Sequence, residues 1–553
     1  MKGQSFYKGS AILIFMVAVT KVMGLAYKLM LTNLLGGTGM AYYQSVYAVF
    51  TPVYAIAIGG IPSTLAIMIS ENFALERYKN ARKIRRTALI FYSLLGLLSS
   101  GAIVLFSGLI SRLILGSSNM APGLIAVSPT VFLCCIISVY RGYFEGLCDM
   151  VPTAVSEIIE TLFKLILGLL FAFIAYKKAS TLYDTPKTLS ITAAASILGV
   201  SLSSLFACIY LCIRLKIKGD GISENKLKKD ICTDSARHII SELNHYAFPI
   251  ALTAAISTLI NTVDLLTVPM MLKVLLSRGA LDISMLNGSG IAKGDIADFI
   301  YGSFTSLALT VTGIIPGFTA MLGKPALPGV AKARATGDTA ALKKGTDDVF
   351  FLSSVIAFPA SFGLTVFSNE VLRLLYPSRV YETAVSSQPF MILSAGLVFG
   401  CMLPPVFALL QAVGRPKSCV RIMVISCITK LIGNLTLMFI PHFGVSGAAL
   451  ALVIADMAAF FIAVKVYFDT CAVLPGIKKC FISPAFSALL CAGGARLCYD
   501  KLYSGILSGN FRLCLIISIA AGGIIYIFSL YLLNILPKRQ KKQKKFKKIA
   551  KRT

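Results

Sequence analysis

The sequence predicts an all-α polytopic membrane protein: about fourteen transmembrane helices, arranged as two six-helix lobes in pseudo-symmetric repeat plus two C-terminal helices. Three observations predict it. Of the 553 residues, 56% are hydrophobic and only 14% charged, against about 25% charged in an ordinary soluble domain. Apolar windows of spanning length recur along the whole chain. Basic residues collect in alternate connections between those windows.

A spanning helix needs about 20 mostly apolar residues. Such windows lie at 10–35, 42–70, 87–111, 122–146, 153–176, 188–213, 246–272, 297–321, 348–368, 386–411, 418–440, 444–468, 481–500 and 511–536. The first is too long for a signal-peptide core and no small-residue cleavage site follows it, so it reads as an uncleaved first helix. Lys2 and Lys8 precede it, which sets the N-terminus in the cytoplasm. The even-numbered connections include "ERYKNARKIRR" (76–86), "RLKIKGDGISENKLKKD" (214–230), "GKPALPGVAKARATGDTAALKK" (323–344) and "GRPK" (414–417). With both termini they hold about 35 Lys and Arg, against about 11 on the other side. The positive-inside rule then requires an even number of spans with both termini cytoplasmic.

The domain reading is an N-terminal lobe at 1–215 (helices 1–6), a basic cytoplasmic linker at 216–245 and a C-terminal lobe at 246–468 (helices 7–12). Helices 13 and 14 follow at 469–536, then a basic tail at 537–553. A net charge of +29 would suggest nucleic acid in a soluble protein. Here most of the excess is the topology signal plus the tail "PKRQKKQKKFKKIAKRT", so no nucleic-acid partner is expected. The tail should lie against anionic lipid headgroups, or serve only as a solvated stop-transfer cluster. The fourteen cysteines and three histidines match no metal-ligand or redox spacing, so no metal or cofactor is expected. With no Trp, any aromatic belt must be built from Tyr and Phe.

An internal repeat supports the two lobes. "EGLCDMVPTAVSEIIETLFKLILG" (145–168) and "QAVGRPKSCVRIMVISCITKLIGN" (411–434) each close an apolar span, turn through Pro and Gly, and open a new span. Lys164 and Lys430 lie at the same offset in each, both followed by "LI". "GGIPS" (59–63) echoes "GIIPG" (313–317). Repeats of this kind mark secondary transporters, whose substrate site lies between the halves near mid-membrane.

The chain resembles the stage V sporulation protein B group of polysaccharide transporters, in the superfamily that also holds lipid II flippases and multidrug and toxin extrusion transporters. The resemblance is carried by "LGGTGMAYYQSVYAVFTPVYAIAIGGIPSTLAIMISE" (35–71), "RGYFEGLCDMVPTAVSEIIETLFKLILG" (141–168) and "FPIALTAAISTLINTVDLL" (248–266). It continues in "IPGFTAMLGKPALPGVAKARATGD" (315–338) and "LLQAVGRPKSCVRIMVISCITKLIGNLTLMFIPHFGVSGAALA" (409–451). It implies two six-helix lobes around a central cavity and export of a polyprenyl-diphosphate-linked saccharide from the cytoplasmic to the outer face. In the sporulation branch the cargo would be a precursor of spore-cortex peptidoglycan. Lysines stand in the first helix where dedicated lipid II flippases carry arginines.

The charged residues inside the spans are the candidate site. Lys21 and Lys28 are seven apart on one face of the first helix, Lys21 mid-span and Lys28 nearer the outer end. Both, with Lys164 and Lys430, are expected to line the cavity and present ammonium groups to a diphosphate. Such a cavity suits a cationic drug poorly. In "PTAVSEIIETLFKLILGLLF" (152–171), Glu157, Glu160 and Lys164 share a helix face. Glu160 and Lys164 form either a structural pair or part of a gated network that releases the lysines to cargo. Arg141 and Glu145, four apart at the cytoplasmic end of the fourth span, read as a gate or lobe-bracing pair.

Asn261, Asp264, Asn434 and Asp456 are polar groups deep in the second lobe. They could ligate a coupling Na+ or a proton, or be hydrogen-bonded structural groups. Gly59, Gly60, Pro62, Pro249, Pro269, Pro316, Pro359, Pro404 and Pro405 give kink points for alternating access.

No P-loop is present, so the chain does not hydrolyse nucleotide itself, and the reading is a secondary-type transporter and not an enzyme. The competing readings are a cation-coupled small-molecule antiporter of multidrug type, a glycosyltransferase or polymerase acting on lipid-linked sugars, and a non-transporting membrane scaffold in sporulation. Asp282 and Asp295 in the largest outer connection form no recognisable catalytic arrangement. Cell-wall synthesis enzymes are the expected partners beyond the cargo and the lipid.

Overall fold

The computed structural model describes residues 6–113, 118–147, 149–220, 234–281, 284–286, 288, 291–322, 330, 333–334, 336–440, 443–505 and 510–533, with parts of α1 and α7 described by backbone alone. Among these residues the regular structure is entirely helical. The basic tail, residues 221–233 of the linker and Asp282 lie outside the described residues.

The first lobe is built from α1 (Phe6–Gly59), α2 (Ile61–Ala74), α3 (Tyr78–Leu113), α4 (Ala121–Gly146), α5 (Val151–Ala179) and α6 (Thr185–Lys218). The second holds α7 (Ala236–Ser277), then α8 (Ile296–Ser303), which runs through a π-helical turn at Phe304–Ala308 into α9 (Leu309–Thr312) and α10 (Ile314–Leu322). It continues with α11 (Thr339–Val366), a short α12 (Ser368–Leu375), α13 (Val380–Ala412), α14 (Pro416–Leu437) and α15 (Val445–Cys471). The last pair is α16 (Ser483–Ser504) and α17 (Phe511–Leu532), which pack on each other while α16 lies against α11.

Twelve helices among the described residues are long and apolar enough to cross a membrane. The first two predicted spans fall in α1 and α2. α1 covers both because its break is only one residue wide: Gly36 takes φ 66°, a left-handed conformation that favours glycine. The second predicted span is itself bent between Gly59 and Ile61, where Pro62 opens α2 and lacks the N–H a continuous helix would use. Proline stands in the first turn of α4, α5, α6, α14 and α16 for the same reason. α3 turns Ile90, Leu94, Leu98 and Leu105 outward, an apolar face that lipid accepts and water would not.

α3, α4, α5 and α6 pack on one another, and α11, α13, α14 and α15 do the same in the second lobe. α1 touches both groups, lying on α4, α5 and α6 and on α7 and α8. The lobes are joined at the two ends of this seam. On the side of the linker, Asp234 just before α7 accepts from Arg77, the residue before α3, at 2.6 Å and from Asn80 of α3 at 2.5 Å. Asp220, just after α6, accepts from Arg82 at 2.6 and 2.7 Å and from Tyr143 at 2.9 Å. Both ends of the connection are thus held by the basic start of α3, and α6 and α7 extend well into the 216–245 segment.

On the opposite side, α1 meets α8 and α13. Gly37 and Gly302 cross so closely that a Cβ on Gly302 would lie 1.8 Å from the Gly37 carbonyl oxygen. Buried Glu382 accepts from the Gly37 N–H at 3.2 Å and from Arg379 at 3.3 Å, while Arg379 also donates to the Asn33 carbonyl at 2.7 Å.

Candidate functional site

Between these two closures lies a cavity of about 240 Å³ lined by Lys28, Gln44, Tyr47, Asp264, Tyr301 and Thr310, among others. It sits where α1 crosses α7 and the π-helical turn. That turn displaces the helical register, so Thr305 and Thr310 both face the cavity.

Lys28 lines it directly, Lys164 stands against the lining Tyr47, and Lys21 lies two turns from Lys28 along α1. Lys28 donates to Thr310 Oγ1 at 3.3 Å, across the lobe seam. Lys21, two turns earlier, lies over Gly317 of α10, its Nζ 3.2 Å from where a Cβ there would stand. Lys164 of α5 lies 5.3 Å from the ring centroids of both Tyr27 and Tyr47. None of the three has a carboxylate within ion-pair distance among the described residues. Aromatic faces stabilise a cation without cancelling its charge. Lys28 therefore stands in the cavity wall without a carboxylate partner of its own, while Asp264 in the same wall is paired with Lys430.

The carboxylates of the same segment are engaged elsewhere. Arg141, 6% exposed, donates to Glu160 at 3.0 Å and to Ser156 at 2.9 Å, and lies 3.7 Å from Glu157. Glu160 also accepts from Ser204 of α6 at 3.0 Å, and Glu145 accepts from Thr153 at 3.1 Å. The helix-local pairs expected from spacing, Glu160 with Lys164 and Arg141 with Glu145, are replaced by a cross-helix network of α4, α5 and α6. Its effect is to hold the glutamates away from Lys164.

Lys430 differs from the other lysines. It is 1% exposed and donates to Asp264 Oδ2 at 2.7 Å and to the Ile260 carbonyl at 3.1 Å. Asn434 donates to Asp264 Oδ1 at 3.0 Å and to Thr267 Oγ1 at 2.7 Å. Expected as a cavity cation, Lys430 is committed to a buried ion pair. Lys430 nonetheless lines a second cavity of about 200 Å³, together with Asp264 and with Asp456 beside Gly400 and Pro316. Asp264 and Asn434 thus meet beside Lys430, and Asp456 faces the second cavity that Asp264 and Lys430 also line. The Asn261 side chain lies outside the described residues.

Sequence reasoning missed two groups. Tyr43, Tyr47, Phe50 and Tyr54 form a row of ring contacts along α1, the first stacked, the second edge-on and the third tilted, with centroids 4.6, 5.9 and 5.1 Å apart in turn. Their spacing of four, three and four in "YQSVYAVFTPVY" is the helix-face signal that would have found them. Asn33, Gly37, Arg379 and Glu382 could not be found that way, because their contacts join residues about 345 positions apart.

Known proteins place this architecture. The membrane protein YabM of Bacillus subtilis is 24% identical over 97% of this chain and 94% of its own length. Stage V sporulation protein B of Bacillus subtilis is 22% identical over 82% of each chain. A solved structure of the lipid II flippase MurJ in an inward closed conformation superposes with a TM-score of 0.68 at 16% identity, covering 94% of this chain and 98% of that one. The likeness to MurJ shows a shared fold. The family model described as polysaccharide biosynthesis protein matches residues 6–331, more than half of the chain, and this multi-pass membrane protein belongs to that family.

Proposed function

We propose that the chain is a flippase that carries a polyprenyl-diphosphate-linked saccharide from the cytoplasmic to the outer face of the cell membrane by alternating access. The observation that carries this reading is Lys28 in the cavity wall, with Lys164 against the lining Tyr47 and Lys21 two turns away on the same helix, none of the three within ion-pair distance of a carboxylate among the described residues. An ammonium without a carboxylate partner in a low-dielectric site demands an anion, and a unit charge at about 4 Å from a lysine is worth about 4 kcal/mol at an effective dielectric of 20. A diphosphate supplies that charge; a cationic drug would be repelled. The polysaccharide biosynthesis family and the names of the flippase MurJ and stage V sporulation protein B support a lipid-linked wall or spore-cortex precursor as the cargo class.

The basic residues of the linker side support a cytoplasmic placement of that side and of both termini. The Glu382–Gly37 seam is then the outer gate and the α3 clasp the inner one. Transport would open one while the other holds. The test is flipping of labelled undecaprenyl-diphosphate saccharides in liposomes by wild type and by Lys21→Ala, Lys28→Ala and Lys164→Ala. Loss of outer-leaflet delivery in folded variants supports the site. Unchanged delivery in all three removes the cationic cavity, and no delivery by wild type beside an active control flippase removes the cargo.

A further inference from the structure

The second lobe holds a centre of oxygen atoms arranged as if for a monovalent cation. Ile260, Asp264 and Thr267 lie one turn apart along α7, and Lys430 and Asn434 one turn apart on the facing side of α14. The acceptors are both carboxylate oxygens of Asp264, the Ile260 carbonyl and Thr267 Oγ1. To these is added Asn434 Oδ1, which is buried with no donor among the described residues. Asp456, on the other wall of the adjoining cavity, makes no hydrogen bond or ion pair with any described residue. Hard monovalent and divalent metal ions are bound by just such carboxylate, amide and carbonyl oxygens.

The positive charge in this centre is the Lys430 ammonium, on a side chain that cannot leave. We propose that Lys430 is a covalently tethered cation that occupies the second lobe's ion site, so that the wild-type chain neither binds nor requires Na+, and that removing the ammonium turns the same oxygens into a Na+ site. The physical reason is charge balance. A buried carboxylate needs a compensating positive charge, and either an ammonium or a metal ion supplies it. Lys430 meets the demand at every point of a transport cycle, whereas an exchangeable ion would meet it only when bound. Asn434 Oδ1, unused by the ammonium, is the oxygen a metal ion would recruit.

The inference rests on the flippase reading only for its consequence, that flipping draws nothing from a sodium gradient. Its test reads ion binding and not transport, so the two can fail separately. The purified full-length chain is melted in sodium chloride and in choline chloride at equal ionic strength, and ²²Na+ binding is measured directly. Wild type should melt alike in both salts and bind no ²²Na+ saturably. Lys430→Met should gain a saturable upward shift of its melting midpoint in sodium alone, together with ²²Na+ binding. The double variant D264N/K430M should lose both, since the charge demand is gone. Should K430M not fold, Lys430→Gln, which keeps a hydrogen bond to Asp264, takes its place. Saturable ²²Na+ binding by wild type overturns the proposal, and so does a folded K430M or K430Q that melts identically in the two salts and takes up no ²²Na+.

Discussion

Lys164 and Lys430 stand at the same offset of the internal repeat, yet their surroundings have opposite electrostatic character. Lys164 rests against the rings of Tyr27 and Tyr47, the latter in the wall of the central cavity, with no carboxylate within ion-pair distance among the described residues. Lys430 is sealed into the second lobe against Asp264. The first lobe thus keeps a positive charge available and the second has spent its own on internal order. A shared offset fixes the position of a side chain on its helix, but the partners come from neighbouring helices, and those differ between the two lobes. Function follows the partner.

The sharpest way to break the comparison is to remove a partner in the second lobe. Asp264→Ala leaves an ammonium buried without compensation, and breaking such a pair costs about 3–5 kcal/mol. We expect the largest loss of thermal stability of any single change considered, read as the melting midpoint of the purified protein. D264A/K430M should recover most of it, because removing both charges also removes the penalty. Recovery no better than the single variant would mean that the pair holds the lobe by geometry and not by charge balance.

Lys164→Ala should do the reverse. It forfeits cation–π contacts worth about 0.5–2 kcal/mol, so the melting midpoint moves little. Flipping should fall at least about tenfold, which is only about 1.4 kcal/mol of the phosphate attraction. Lys164→Arg should retain much of the activity. A K164A that flips normally would mean that Lys21 and Lys28 carry the anion without it.

A smaller effect is expected at the seam between the lobes. Glu382→Ala deprives the Gly37 N–H and Arg379 of their shared acceptor, a loss of about 1–3 kcal/mol. Part of that should appear as a population shift toward an open outer face. The measure is labelling of a cysteine at Thr310 by an impermeant thiol reagent added outside, faster in E382A than in the parent. Equal labelling would show that the Gly37–Gly302 crossing closes that face by itself.

How much of this was legible in the sequence follows from the same contrast. Spans were legible because membrane insertion demands long apolar runs, and even the break at Gly36 coincides with the gap between two predicted windows. The positions of Lys21, Lys28 and Lys164 were legible because a charge in an apolar run stands out. Their partners were not. Spacing within one helix joined Glu160 to Lys164 and Arg141 to Glu145, whereas antiparallel packing of α4 on α5 gives Arg141 to Glu160. Asp264 and Lys430 are 166 positions apart, and periodicity has no reach over that distance.

A partly exposed pair sharpens the comparison from the side of water. Arg77–Asp234 has the shorter distance, 2.6 Å, yet its side chains are 33% and 25% exposed, against 1% and 3% for Lys430–Asp264. Its Arg77 hydrogen bond holds the Asp234 carboxyl below its ordinary range, burial opposing the shift and Asn80 adding to it. A depressed folded-state value means that the unfolded chain binds the proton first. The stabilisation is therefore present above the ordinary aspartate value of about 4 and lost as pH falls through that value toward the lower folded one. Solvent screening keeps the pair below about 1 kcal/mol. Asp234→Asn should then leave the melting midpoint nearly unchanged at neutral pH while flattening its decline on acidification. It should also make the neutral-pH midpoint less sensitive to added salt. A D234N that lost as much stability at pH 7 as D264A would show that the clasp on α3, and not burial in the membrane, sets the worth of an ion pair in this chain.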